Sequence, residues 1–204
     1  MSANETQRIK IGIANPTALG LFGLAIVTLV ASSQKMGLTN GLSFVIVYAL
    51  FLGATAQLMA SILDFFYENI WGGTVFGAYA FFWYAVAVAW MMKMGVFGSE
   101  LQTACDVKQL GVAFLGYLIF SVMMTLGAME VSKLIFIIMV VIDVLLAALT
   151  LNAFGIAPHE THVVGAYAEL ITSLLSFYAC GAVVLNTFFG RVFMPVGKPF
   201  GIFK

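Results

Sequence analysis

The sequence predicts an all-α, polytopic membrane protein with six transmembrane helices around a narrow pathway. Two observations carry the membrane assignment. Of the 204 residues, 62% are hydrophobic and only 9% are charged, against roughly 25% charged residues in a soluble domain. A surface so poor in charge needs lipid as its solvent. The apolar residues also come in runs long enough to cross hydrocarbon, which takes about 20 residues. The charges collect between the runs. A third observation, polar stripes within the runs, points to the pathway.

Six runs qualify, at 16–33, 42–63, 72–92, 110–129, 134–154 and 163–189. The first opens with Ala14-Asn15-Pro16-Thr17. Asn is a favoured N-cap, and Pro suits the first helical position because its missing N–H needs no partner there. This run exceeds the 7–15-residue core of a signal peptide and is expected to stay in the protein. Its Thr17, Gly20, Leu24 and Thr28 share one face. The second run places Gln57, Ser61 and Asp64 together. The third carries Phe76, Tyr79, Trp83 and Trp90 on one face, and Gly73 and Gly77 in a small-residue motif that lets helices approach closely. The fourth aligns Tyr117, Ser121 and Thr125, the fifth Asp143 and Thr150. The sixth aligns Glu169, Ser173, Ser176 and Cys180 and is long enough to tilt. The expected organisation is an N-terminal arm over 1–15, the helical domain over 16–189 and a tail over 190–204.

Each intramembrane polar group is costly unless it faces protein or water. Turning five stripes inward around a shared, partly wet axis satisfies them together. The competing reading is that Ser and Thr hydroxyls bond back to their own helices. Gln57, Asp143 and Glu169 tip the balance towards a lined pathway. No Lys or Arg falls within the six runs, so an anion there would meet only helix N-termini and neutral donors.

Nine basic and nine acidic residues cancel, which argues against nucleic acid as a partner. Cys105 and Cys180 fit no metal-ligand spacing and are expected to be unpaired. His159, Glu160 and His162 sit in an expected loop after Pro158. Zinc wants at least three protein ligands, so no metal or cofactor is expected. An intramembrane enzyme is the weaker alternative, as is a scaffold or sensor. An even number of spans puts both termini on one side, with Arg8, Lys10, Lys133, Arg191, Lys198 and Lys204. Lys35, Lys93 and Lys108 lie on the other. The excess of cations predicts cytoplasmic termini in a plasma (inner) membrane.

The stretch Asn15-Pro16-Thr17-Ala18-Leu19-Gly20-Leu21 resembles the Asn-Pro-Ala-Pro-Leu-Gly-Leu signature of the acetate uptake transporter family, also called the succinate–acetate permease or GPR/FUN/YaaH family. The likeness continues in Phe51-Leu52-Gly53-Ala54-Thr55-Ala56-Gln57, in "NIWGGTVFGAYAFFW" from Asn69 to Trp83, and in Phe189-Gly190-Arg191 followed by Pro195-Val196-Gly197. The resemblance implies a homo-hexamer in the lipid bilayer, each protomer with its own route for acetate, related short carboxylates or succinate, as a channel or a proton-coupled permease. Asn15, Thr17, Thr28, Gln57, Tyr79 and Trp83 are the candidate solute contacts. The family's constriction, a Phe, a Tyr and a Leu, falls here on Leu24, Tyr79 and Ile142. The second proline of the signature is absent, and Leu24 replaces a ring. Asp143 stands where a small polar residue is usual. A carboxylate there repels a carboxylate solute unless it holds a proton, so Asp143 and Glu169 are candidate proton-coupling groups.

Overall fold

The computed structural model describes residues 12–203. Residues 1–11 of the expected arm, Arg8 and Lys10 among them, and Lys204 lie outside the described residues. The fold is all-α. Among the described residues six helical spans are long and apolar enough to cross a membrane, and lipid leaves them little choice, because a backbone without water must satisfy its own hydrogen bonds. The helices are α1 (Thr17–Lys35), α2 (Ser43–Tyr48), α3 (Gln57–Phe66), α4 (Ile70–Lys93), α5 (Ser99–Ala104), α6 (Val107–Ala128), α7 (Lys133–Ala153) and α8 (Pro158–Phe189). A π-helical stretch, Ala49–Ala56, joins α2 to α3, so that Ser43–Phe66 forms one span. The short α5 lies in the connection between the third and fourth spans.

Local chemistry sets the helix ends. Pro16 already has helical angles, and the Asn15 Oδ1 accepts from the Thr17 amide at 3.0 Å. Asn15 thus caps α1, with proline in the first helical position, where its lost N–H costs nothing. The Asn69 side chain caps α4 by accepting from Gly72 N at 3.1 Å. Ser132 Oγ accepts from Ile135 N at 3.2 Å and caps α7. Gly190 ends α8 with φ 63°, a left-handed conformation that glycine adopts without a Cβ penalty. Removing a serine cap costs about 1 kcal/mol. Ser132→Ala is therefore expected to lower the melting temperature of the purified protein by about 2–4 °C, read from intrinsic fluorescence on heating.

The spans form a ring. α1 packs on α8 and on the second span, α8 on α7, α7 on α6, and the second span on α4. Side chains close the ring between α4 and α6: Tyr79 Oη donates to Ser121 Oγ at 2.8 Å, Tyr117 Oη to Ala78 O at 3.2 Å, and Trp71 Nε1 to Met124 O at 3.0 Å. Small residues make the tightest contacts. A Cβ on Gly23 would collide with Leu52 O, and one on Gly73 would lie 2.8 Å from the Phe65 ring. Ser61 Oγ donates to Gly73 O at 2.6 Å, binding α3 to α4.

The chain end after α8 folds back over the α6–α7 connection. Leu134 N donates to Val196 O at 3.0 Å, Phe200 N to Met129 O at 2.9 Å, and Ile202 N to Glu130 Oε1 at 2.8 Å. Residues 12–16, this tail and the 67–69 and 129–132 connections share one end of the bundle, here the terminal end. The other connections form the far end.

Two expectations change. The His159–His162 segment is not a loop: Pro158 starts α8, and the histidines fall in its first turn. The proline signals a helix start there, as at Pro16. Lys35 was expected in a loop beyond the first span, yet it is the last residue of α1 and its Nζ lies 2.8 Å from the buried Glu169 carboxylate. The long lysine stem carries the charge back alongside apolar surface.

Candidate solute pathway

Two cavities lie at successive depths along the same helices. The near cavity, about 80 Å³, opens towards the terminal end. Thr17, Asn69 and Trp71 line its outer part, and Leu24, Gln57, Tyr79 and Ile142 line it deeper in. The far cavity, about 150 Å³, is lined by Phe82, Trp83, Leu145, Asn152, Lys35 and Glu169 among others. On α4 the near lining stops at Tyr79 and the far lining starts at Phe82; on α7 the switch runs from Ile142 to Leu145. Three helical residues rise about 4.5 Å. The partition between the cavities is therefore about one side-chain layer thick.

That layer is apolar and tightly held. Leu24, Tyr79 and Ile142 are 8%, 5% and 4% exposed. The Tyr79 ring meets Tyr117, Phe82 and Phe120 at centroid distances of 6.3–6.5 Å. Its hydroxyl points away into α6, onto Ser121. The three positions that the resemblance assigns to a constriction thus converge at the boundary of the near cavity.

The near cavity holds few polar groups, and most are committed elsewhere. Asn69 caps α4 and donates to Asp64, Trp71 bonds Met124 O, and Tyr79 bonds Ser121. Gln57 differs. Its Nε2 donates to Gly53 O at 2.8 Å, but its buried Oε1 has no partner among the described residues. A buried polar atom without a partner is costly, and a solute or water in the cavity can meet that cost. Thr17 lines the outer part of the cavity beside it.

The remaining candidates are placed differently. Trp83 lines the far cavity, not the near one. Thr28 lines neither: its hydroxyl donates to Leu24 O at 2.7 Å, one turn back on its own helix. Asn15 is exposed and its side chain is occupied by the α1 cap. Asp143 follows Ile142 on α7 and lines neither cavity; Thr125 Oγ1 donates to its Oδ2 at 2.7 Å, and its Oδ1 has no partner among the described residues. Glu169 is 2% exposed and paired with Lys35.

The polar stripes do face inward, but much of their bonding is between or within helices. Ser173 Oγ reaches Ala25 O at 2.7 Å, while Thr125, Thr150 and Thr172 each bond a carbonyl four residues back. The cavity walls are mostly aliphatic and aromatic. The expectation of a broadly hydroxyl-lined axis gives way to an apolar route with isolated polar stations. In lipid, interhelical hydroxyl bonds are a normal use of such residues.

The family model described as the GPR1/FUN34/yaaH family matches residues 2–197. The chain belongs to the GPR1/FUN34/yaaH family. Among the relatives in this family, the succinate-acetate/proton symporter SatP of Escherichia coli (strain K12) is 28% identical over 187 residues, spanning 91% of this chain and 96% of that one. The glyoxylate pathway regulator of Yarrowia lipolytica is 29% identical over 176 residues, 84% of this chain and 64% of that protein. The solved structure of the bacterial acetate channel SatP superimposes with a TM-score of 0.83 at 25% identity, covering 91% of this chain and 100% of that chain. SatP is named as a symporter and as a channel, in neither case as an enzyme.

Two features of this family member escaped the sequence reading. The π-helical stretch Ala49–Ala56 shifts the register just before Gln57, and Thr55 Oγ1 bonds Leu50 O, five residues back, at 2.8 Å. The run Gly53-Ala54-Thr55-Ala56, too small to fill its own groove, is the signal that could have marked it. The Lys35–Glu169 pair was the other. A lone acid deep in an apolar run demands a partner, and Lys35, two residues beyond the predicted run, was the cation within reach.

Proposed function

We propose that this protein passes acetate and related short carboxylates, succinate among them, across the plasma membrane by a route inside each protomer. The observation that carries the reading is the pair of small cavities facing each other across the Leu24–Tyr79–Ile142 layer. Pockets for drug-sized ligands run to about 300–1,000 Å³; cavities of about 80 and 150 Å³ suit a solute of a few heavy atoms. The names of the SatP relatives agree with that size class. The cation excess on the terminal end puts both termini in the cytoplasm. Six protomers assemble side by side, each keeping its own route.

In this reading Gln57 is the polar station of the near cavity, Thr17 receives the solute at the mouth, and Tyr79 with Leu24 and Ile142 parts to let it through. Trp83 contacts it beyond the partition. Among the described residues the near cavity has no charged lining residue, so a carboxylate crosses it most cheaply with a proton attached or alongside. Asp143, next to Ile142 on α7 and bonded to Thr125, is the group that couples proton to solute.

The experiment is uptake of labelled acetate into proteoliposomes with an entrapped pH indicator, with protein-free liposomes subtracted because acetic acid itself permeates lipid. Saturable uptake with acidification supports the reading, and uptake equal to the protein-free control ends it. Asp143→Asn gives a second readout. Its amide cannot take up and release the proton, so the Asn variant is expected to lose the acidification that accompanies saturable uptake. Acidification per acetate equal to wild type would remove Asp143 from coupling.

A further inference from the structure

We propose that the far cavity is a carboxylate-capture vestibule, in which Lys35 is the binding cation and Glu169 is the internal carboxylate that an arriving solute displaces. The proposal rests on the carboxylate reading above and adds a site to it.

Lys35 and Glu169 both line the far cavity. Their side chains are 17% and 2% exposed, and Nζ to Oε2 is 2.8 Å. The acid is sealed in the helix packing, while the cation keeps access to the space. Lysine has three donor positions. Lys35 Nζ spends one on Glu169 and makes no other side-chain bond among the described residues. Its backbone is held as well, since His162 Nε2 lies 2.9 Å from Lys35 O. Lys93, from the last turn of α4, lines the same cavity. Two cations and one anion leave the vestibule one positive charge in excess. The near cavity has no charged lining residue among the described residues.

This arrangement does what a mouth for anions requires. The excess charge draws carboxylates from solution. Glu169 presents to Lys35 the same chemical group as the solute, so the solute competes for the ammonium with a buried carboxylate that is costly to leave unpaired, which keeps its binding weak. Binding is favourable enough to enter and weak enough to leave. Trp83 and Trp90 on the wall cover the solute's apolar part. Where the Glu169 charge is removed by substitution, both lysines become available together, and a dicarboxylate gains more than a monocarboxylate does.

The protein carries its own reporter. Trp83 and Trp90 line this cavity, and the third tryptophan, Trp71, lines the other. Purified Trp71→Phe protein is titrated with sodium acetate and sodium succinate against chloride at matched ionic strength, reading tryptophan fluorescence. In that background Glu169→Gln is expected to tighten succinate binding by about tenfold, and acetate by less, because a hydrogen bond to a freed charge contributes that much. Lys35→Gln with Glu169→Gln keeps a neutral hydrogen-bonded pair between α1 and α8, and so keeps the fold. It is expected to weaken both acids by about tenfold. If the double variant titrates like its parent, the vestibule assignment falls. Wild-type flux is read separately: flux with unaltered binding in the double variant leaves transport standing without the vestibule, whereas binding changes as expected without flux overturn the transport reading alone.

Discussion

Gln57→Leu is expected to reduce carboxylate flux by about tenfold to a hundredfold while leaving the melting temperature unchanged or higher. The two halves of that result have one cause. Gln57 is fully buried, and its Oε1 has no partner among the described residues. An unmet buried polar atom costs about 1–3 kcal/mol. Leucine, of similar size, removes the cost in the empty protein and so does not destabilise it. It also removes the one uncommitted polar station in the inner part of the near cavity, leaving the solute's oxygens to cross an apolar wall. Oε1 can accept only from the O–H of a protonated acid; without it that O–H is left unpaired in the cavity, at about 1–3 kcal/mol, which matches the flux change stated to within a factor of about two. Proteoliposome uptake and a thermal melt on the same preparation check both. Full flux through Gln57→Leu would mean that the solute never uses this cavity.

Gly53→Val is expected to have a large structural effect. A Cβ at position 53 would lie 2.8 Å from Trp83 Cγ and 3.0 Å from Val27 Cγ2. Neither neighbour can retreat easily: Val27 is fully buried, and Trp83 is wedged against Phe82 at a centroid distance of 5.4 Å. Overpacking of this kind typically costs about 1–3 kcal/mol, and the extra methyls of valine enlarge the clash. The displaced Trp83 would move into the far cavity. Size-exclusion profiles should show loss of monodisperse protein, or a melting temperature several degrees lower with flux strongly reduced. Gly116→Ala is the matched control. Nothing lies within 4 Å of a Cβ built there, so its profile should match wild type. A well-behaved, conducting Gly53→Val protein would show that the π-helical stretch adapts, and that the close approach of the second span to α4 is dispensable.

The candidate site was partly legible in the chain. Tyr79, Leu24 and Ile142 were reached through motif register, and they meet at one boundary. Gln57 was legible as a lone amide in an apolar run. Thr28 was misread, because a threonine that bonds its own helix looks the same in sequence as one that faces a cavity. The role of Asn15 changed for a similar reason: a cap and a solute contact both want an exposed side-chain oxygen.

What the chain determines by itself is the set of spans, their order and their approximate ends. Those depend on local quantities, namely run length against membrane thickness and the chemistry of caps such as Asn15, Asn69 and Ser132. What only the tertiary structure decided is how each helix is turned. The polar stripes mark the inward faces but not which groups on them meet, so close packing at Gly23, Gly53 and Gly73 sets the final rotation. That rotation brings Glu169 to Lys35 across 134 residues of sequence, hands the Tyr79 hydroxyl to Ser121, and divides one apolar seam into two cavities. Lipid specifies that there be helices; contact between them specifies where a small anion can stand.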